Sequence, residues 1–188
     1  MGNRNQPAEL RTLAQELNSL LEQDRTSQHF AELLAAVDQG LRRSRSSLAV
    51  AWQDQPNALA LIQYVTHSAS NTALDNTLPP EQRTAAVRLL ALSPQQDLLL
   101  TQLLDLATPA QPDTVRLAAL QLLQTRLTPT AAARLAADCS RSTTSLQHEI
   151  IECLCSSDVG AQALLDAIAA GTIPASRITP IHFIRTGN

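Results

Sequence analysis

Aromatic side chains are nearly missing from this sequence: Phe30, Trp52, Tyr64 and Phe183 make up 2% of its 188 residues. A core must therefore be built from Leu, Ala, Ile and Val. Leucine and alanine favour helices, whereas strands draw on β-branched and aromatic residues. Glycine is also scarce, at 5 positions. Lysine is absent, all 14 basic residues being arginine, which excludes Schiff-base lysine chemistry and the phosphate-binding lysine of a P-loop. The cysteines, Cys139, Cys153 and Cys155, are odd in number and form no Cys-x-x-Cys or His/Cys ligand set. They argue against a disulfide framework and read as small buried hydrophobes. No apolar run approaches the ~18 residues of a membrane span. The opening residues are polar and amphipathic, without the pattern of a secretory signal.

What is present is enough to fold. Hydrophobic residues make up 44% and charged ones 16%, a globular balance rather than a disordered one. The formal net charge of −3 lacks the basic excess of a nucleic-acid binder. The one dense basic run, Arg42, Arg43 and Arg45, reads as a solvated helix end, where cations suit the dipole. Leu10, Leu13, Leu17, Leu20 and Leu21 lie on one face of a helix over residues 7–23. Phe30, Leu33, Leu34, Val37 and Leu41 do the same for residues 27–43, with Ser27 as N-cap. A short helix at 46–53 carries Leu48, Val50 and Trp52, and a further one runs from Pro56 to about residue 70 with Leu59, Ile62, Tyr64 and Val65. Residues 71–80, rich in Asn, Thr and Asp and closed by Pro79 and Pro80, predict a loop. It divides an irregular N-terminal helical part, 1–75, from a regular part, 76–188.

In the second part the chain repeats itself. The stretch EQRTAAVRLLAL at 81–92 resembles DTVRLAALQLLQ at 113–124; laying Ala86 on Ala119 and Leu89 on Leu122 gives an offset of 33 residues. A weaker copy, LQHEIIECLC at 146–155, follows at 31 when Leu123 is laid on Leu154. A turn and a second apolar helix follow each, over 95–106, 130–137 and 160–169, with Pro94 and Pro129 near two of the starts and Ser157 or Asp158 capping the third. A helix pair of this size cannot hide both apolar faces alone and must stack on a neighbour. Small residues such as Ala85, Ala86, Ala118, Ala119 and Ala131 to Ala133 let helices approach closely. The expectation is an all-α fold, an α-solenoid of antiparallel helical hairpins: about three pairs in 76–188 plus the start of another at Ile181, Phe183 and Ile184. A compact bundle is the alternative.

These repeats resemble HEAT repeats, whose first helix carries an Arg before an apolar stretch, as in Val115-Arg116-Leu117-Ala118-Ala119-Leu120. The segment ALLDAIAAGTIPASRITP at 163–180 is similar to a part of very large planctomycete-type proteins. Those join a membrane-bound dehydrogenase-like β-propeller, a HEAT-like region and a c-type cytochrome domain. The resemblance covers about residues 80–180 and implies an excised helical spacer from an exported or periplasmic parent. It implies no haem here, since the sequence holds no Cys-x-x-Cys-His, and no dehydrogenase part.

No residue set assembles into a catalytic or cofactor site. His148 and Glu152 share a helix face at i, i+4, but a zincin has a second His there and two ligands are too few; an exposed ion pair is the plainer reading. Gly171 after Ala169 and Ala170 reads as a helix C-cap. The expected function is a non-catalytic scaffold or protein-interaction segment, bound to a protein or to a neighbouring domain of the same chain. The alternative is an adaptor for nucleic acid or an acidic partner, using an arginine ridge of Arg83, Arg88, Arg116 and Arg126, in which Arg83 and Arg116 recur at the repeat period. Trp52 and Tyr64 are the candidate anchors, being residue types enriched at hot spots, although core filling is the favoured reading of both.

Overall fold

The computed structural model describes residues 56–178, and Ala36 and Asp38 besides. The helices expected before Pro56, Trp52 among them, and the apolar stretch at 181–184 lie outside the described residues. Those described form seven α-helices and two 3-10 turns, with no strand, as the composition requires. Helix α1 spans Pro56–Leu74, α2 Pro80–Leu89 with a 3-10 turn at Leu90–Leu92, and α3 Gln96–Leu106. Then come α4 at Asp113–Leu123, α5 at Pro129–Cys139, α6 at Thr144–Leu154 and α7 at Asp158–Ala169, with a 3-10 turn at Ala175–Arg177. None of these helices is long and apolar enough to cross a membrane.

The helix ends follow from local chemistry. Pro80 and Pro129 occupy the first turns of α2 and α5, where a missing N–H costs nothing. The Thr128 hydroxyl accepts from the Ala131 N–H, and the Ser157 hydroxyl from the Gly160 N–H, each satisfying a first-turn donor. Pro94 lies in the turn ahead of α3, whose N-cap is Gln95. Helix α7 ends on Gly171 at φ +72°. The Thr172 N–H reaches back to the Ala167 carbonyl and the Gly171 N–H to that of Ile168, both at 2.9 Å. That double closure needs a residue in the left-handed region. Helix α1 continues to Leu74, past the expected end at residue 70. Its last turn buries Ala73, and Arg83 binds the Ala73 carbonyl, so a tertiary contact outweighs the local turn signal.

Helices of 11 residues such as α4 and α5 are marginal alone, so packing must hold them. One core cluster runs from Ala69 to Ile173 and includes Leu90, Leu99, Leu103, Leu106, Leu120, Leu123, Ile150, Ile151 and Leu154. Each fully buried leucine contributes about 2 kcal/mol. Helix α2 lies against α4 and α4 against α6; α1 lies against α3, and α5 against α7. The pairing of consecutive helices differs from the sequence frame, which couples α2 with α3 and α4 with α5. The close neighbours are α1 with α2, α3 with α4, and α5 with α6, while α6 with α7, the third pair of the sequence frame, is also in contact. Packing therefore crosses the 75/76 division.

Gly160 marks the tightest approach. A Cβ there would lie 2.1 Å from the Leu154 carbonyl oxygen at the end of α6, so α7 can start where it does only without a side chain. Gly160→Ala should lose about 1–3 kcal/mol through this overlap, despite the helix propensity that alanine adds. Urea unfolding of the two proteins checks it; an unchanged or higher midpoint contradicts the packing at this junction.

Candidate interaction surface

Arg83 and Arg116 do not form an exposed ridge: both are 2% exposed. Each sits at the head of a buried stripe, Arg83 with Ala86, Val87 and Leu90, and Arg116 with Ala119, Leu120 and Leu123. That i, i+3, i+4, i+7 register turns a side chain inward. Arg83 Nε donates to the Ala73 carbonyl at 2.9 Å, and its Nη2 to Gln111 Oε1 at 2.5 Å. Arg116 Nε donates to the Ala107 carbonyl at 3.2 Å, and its Nη2 to Ser142 Oγ at 2.5 Å. Each guanidinium thus ties the end of the preceding helix to the loop that leads into the helix two further on. Burial lowers the pKa of Arg116, while the Asp113 and Asp138 carboxylates oppose that fall. The expected binding role of these two arginines is replaced by a structural one.

Other side chains with chemical potential are also committed to structure. Cys139, Cys153 and Cys155 are buried free thiols. Burial raises all three pKa values, that of Cys153 to about 12, and the Cys153 thiol lies 3.7 Å from the Leu120 carbonyl. Such thiols are poor nucleophiles. His148 and Glu152 form the i, i+4 pair, 3.6 Å apart and partly exposed. Among the described residues no three His, Cys, Asp or Glu side chains gather as a metal site would require.

Three exposed side chains are not explained by packing. Tyr64 on α1, Leu98 on α3 and Leu165 on α7 are each more than half exposed. Tyr64 therefore sits on the surface and not in the core. Two hollows flank α5. One, of about 560 Å³, is lined by Thr108, Pro109, Ala110, Arg134, Ala137, Asp138 and Arg141. Its charges are already matched, Arg134 by Asp105 at 3.1 Å and Arg141 by Asp138. The other, of about 380 Å³, lies between α5 and α7 over a floor of alanines. Sequence reasoning did not find these hollows, because alanine in a helix reads as close packing and only the helix spacing shows where a gap is left. Comparison with protein-family models, with curated proteins and with solved structures finds no match.

Two outcomes test the buried groups. Arg116→Met should cost about 2–3 kcal/mol, since it strands the Ala107 carbonyl, whereas Arg88→Met, at an exposed site, should be near neutral; chemical denaturation separates them. For the thiols, the unfolded chain ionises near pH ~8.5, but native Cys153 stays protonated to about pH 12. Stability attributable to it is full below the unfolded value and is lost as pH rises through the window between the two. A Cys153→Ala variant should show a shallower alkaline loss, measured by unfolding across that range.

Proposed function

We propose that this chain is a non-catalytic helical-repeat scaffold, a HEAT-like α-solenoid segment that binds protein, or a neighbouring domain of its own chain, through the exposed side chains of α1, α3 and α7. One observation carries the architectural part: most polar contacts between helices reach about one repeat along the chain, the Arg83 and Arg116 Nε bonds to the helix ends just before them being the short ones. Within residues 56–178 the longer ones join Ser70 to Gln102, Gln96 to Arg126, Asp105 to Arg134, Asp113 to Thr143 and Gln124 to Ser156, separations of 29 to 32. Those made by the Arg83 and Arg116 Nη2 groups span 28 and 26. A stack makes only nearest-neighbour contacts, whereas a closed bundle would also join its first helices to its last.

The interaction part is supported by what the side chains are spent on. The thiols are buried and His148 is paired, whereas Tyr64, Leu98 and Leu165 face solvent. A setting within a larger redox protein, exported or periplasmic, rests on the resemblance of residues 163–180. Spin labels test the stacking. Placed in pairs at Arg88, Gln121 and Glu152, the last two related to the first by the repeat, they should report ~10 Å between neighbours and about twice that from 88 to 152. A distance from 88 to 152 no longer than that from 88 to 121 rejects the solenoid.

A further inference from the structure

We propose that Arg177 is a latch: its guanidinium closes into a hollow at the C-terminal end of α5, takes the place that Arg83 and Arg116 hold in the two preceding repeats, and so fixes the direction in which the chain leaves α7. Register defines that place. Arg83 and Arg116 each stand four residues past a proline N-cap, Pro79 and Pro112. Each joins the end of one helix to a loop further along. The same position after the next N-cap, Thr143, is Gln147. Its amide donates back to the Ser142 carbonyl at 3.0 Å, within the loop before its own helix, and bridges nothing. Where the third guanidinium is missing there is space. A hollow of about 230 Å³ is bounded by Cys139 and Ser140 at the end of α5, by Gln147, and by Thr172 and Ile173 in the turn after α7. These are the counterparts of what Arg116 bridges: the end of the helix before and the loop beyond.

Arg177 borders the same hollow. The turn that carries it opens on Pro174, whose φ of −63° and ψ of 131° are near the −56° and 142° of Pro79 and the −57° and 143° of Pro112. The chain thus starts a fourth element as it starts α2 and α4. Its arginine comes one residue sooner, three past the proline rather than four. The side chain is exposed, and its guanidinium makes no hydrogen bond or ion pair among the described residues. Burial raises the pKa of the Cys139 thiol and the Arg177 charge opposes that rise, which puts the cation within electrostatic reach of the hollow. Two interactions favour closure. A guanidinium fork meets carbonyl and hydroxyl acceptors at the end of α5 and in the turn. A cation also answers the negative end of a helix whose last turn holds no basic residue. Arg141, just past that end, is engaged by Asp138 and does not line the hollow.

Alkylation of the native full chain by iodoacetamide, followed at each cysteine by peptide mass spectrometry, tests the latch, because Cys139 lines the hollow that Arg177 closes. Arg177→Met should speed the Cys139 reaction about fivefold, the factor for one net hydrogen bond. Loss of the cation alone would act the other way, since it leaves the thiol less ionised and slower to react. Arg177→Lys, which keeps the charge but not the fork, should also speed it. Gln147→Arg supplies the guanidinium from α6, as Arg83 and Arg116 do from α2 and α4. It should slow Cys139 below the unaltered chain and cancel the effect of Arg177→Met in the double variant. Cys153, buried with its thiol against the α4 backbone, reports opening of the whole stack in the same digest and should not change. An unchanged or slower Cys139 in Arg177→Met, an equal rise at Cys153, or a double variant as fast as Arg177→Met alone overturns the latch. The inference rests on the repeat register and not on the protein-binding reading, and the spin-label distances test the stack independently of it.

Discussion

Two buried guanidinium groups hold this fold in register. A charge taken out of water must be compensated by hydrogen bonds, or it destabilises the structure by several kcal/mol. Arg83 and Arg116 are compensated in the same way, each by a helix-terminal carbonyl behind it and a loop side chain ahead of it. Because one partner is the end of the helix before and the other a loop beyond the helix after, neither guanidinium can be satisfied unless these successive elements take their places together. Leucine burial supplies most of the stabilisation, but it is non-directional. The arginines add the direction, fixing which helix end meets which loop.

The near absence of aromatic residues has a packing consequence. With leucine and alanine as the main core residues, contacts must be short and helices must lie close. Ala86, Ala119, Ala132 and Ala136 are all buried at positions where a larger side chain would push neighbours apart. Gly160 is the limiting case. The same economy opens the hollow beside α5, since α5 and α7 touch but their facing alanines are too short to fill the space beside that contact. Closeness and vacancy are produced by one residue type, and the local helix spacing decides which results.

Much of the fold is legible in the sequence. Periodicity places α2 to α7 within a few residues, and the Gly171 cap and the His148–Glu152 pair are read from spacing alone. The N-terminal end of the described region is less so: Asn, Thr and Asp at 71–75 are turn formers, yet α1 runs through Leu74 because Arg83 caps it from a distance. The frame of close pairing is not legible either. A helix with apolar residues on two sides gives no sign of which neighbour approaches nearer. Arg83 and Arg116 were readable but pulled two ways. Their recurrence suggests a ridge, whereas counting the stripe through Arg116, Ala119, Leu120 and Leu123 puts the guanidinium inside, and the stripe is the stronger guide. Tyr64 was ambiguous because a single aromatic on an amphipathic helix suits the core or the rim equally.

The short sequence separation of the helix-to-helix contacts bears on how the chain acquires its structure. No described side-chain bond between helices reaches further than 33 residues, that of Cys153 to the Leu120 carbonyl, so no distant ends must find each other before the first contacts reward the search. Loop-closure entropy is small at every step. Low contact order of this kind goes with fast assembly. During synthesis, each helix among residues 56–178 can meet its side-chain partners once about one repeat length of chain has followed it.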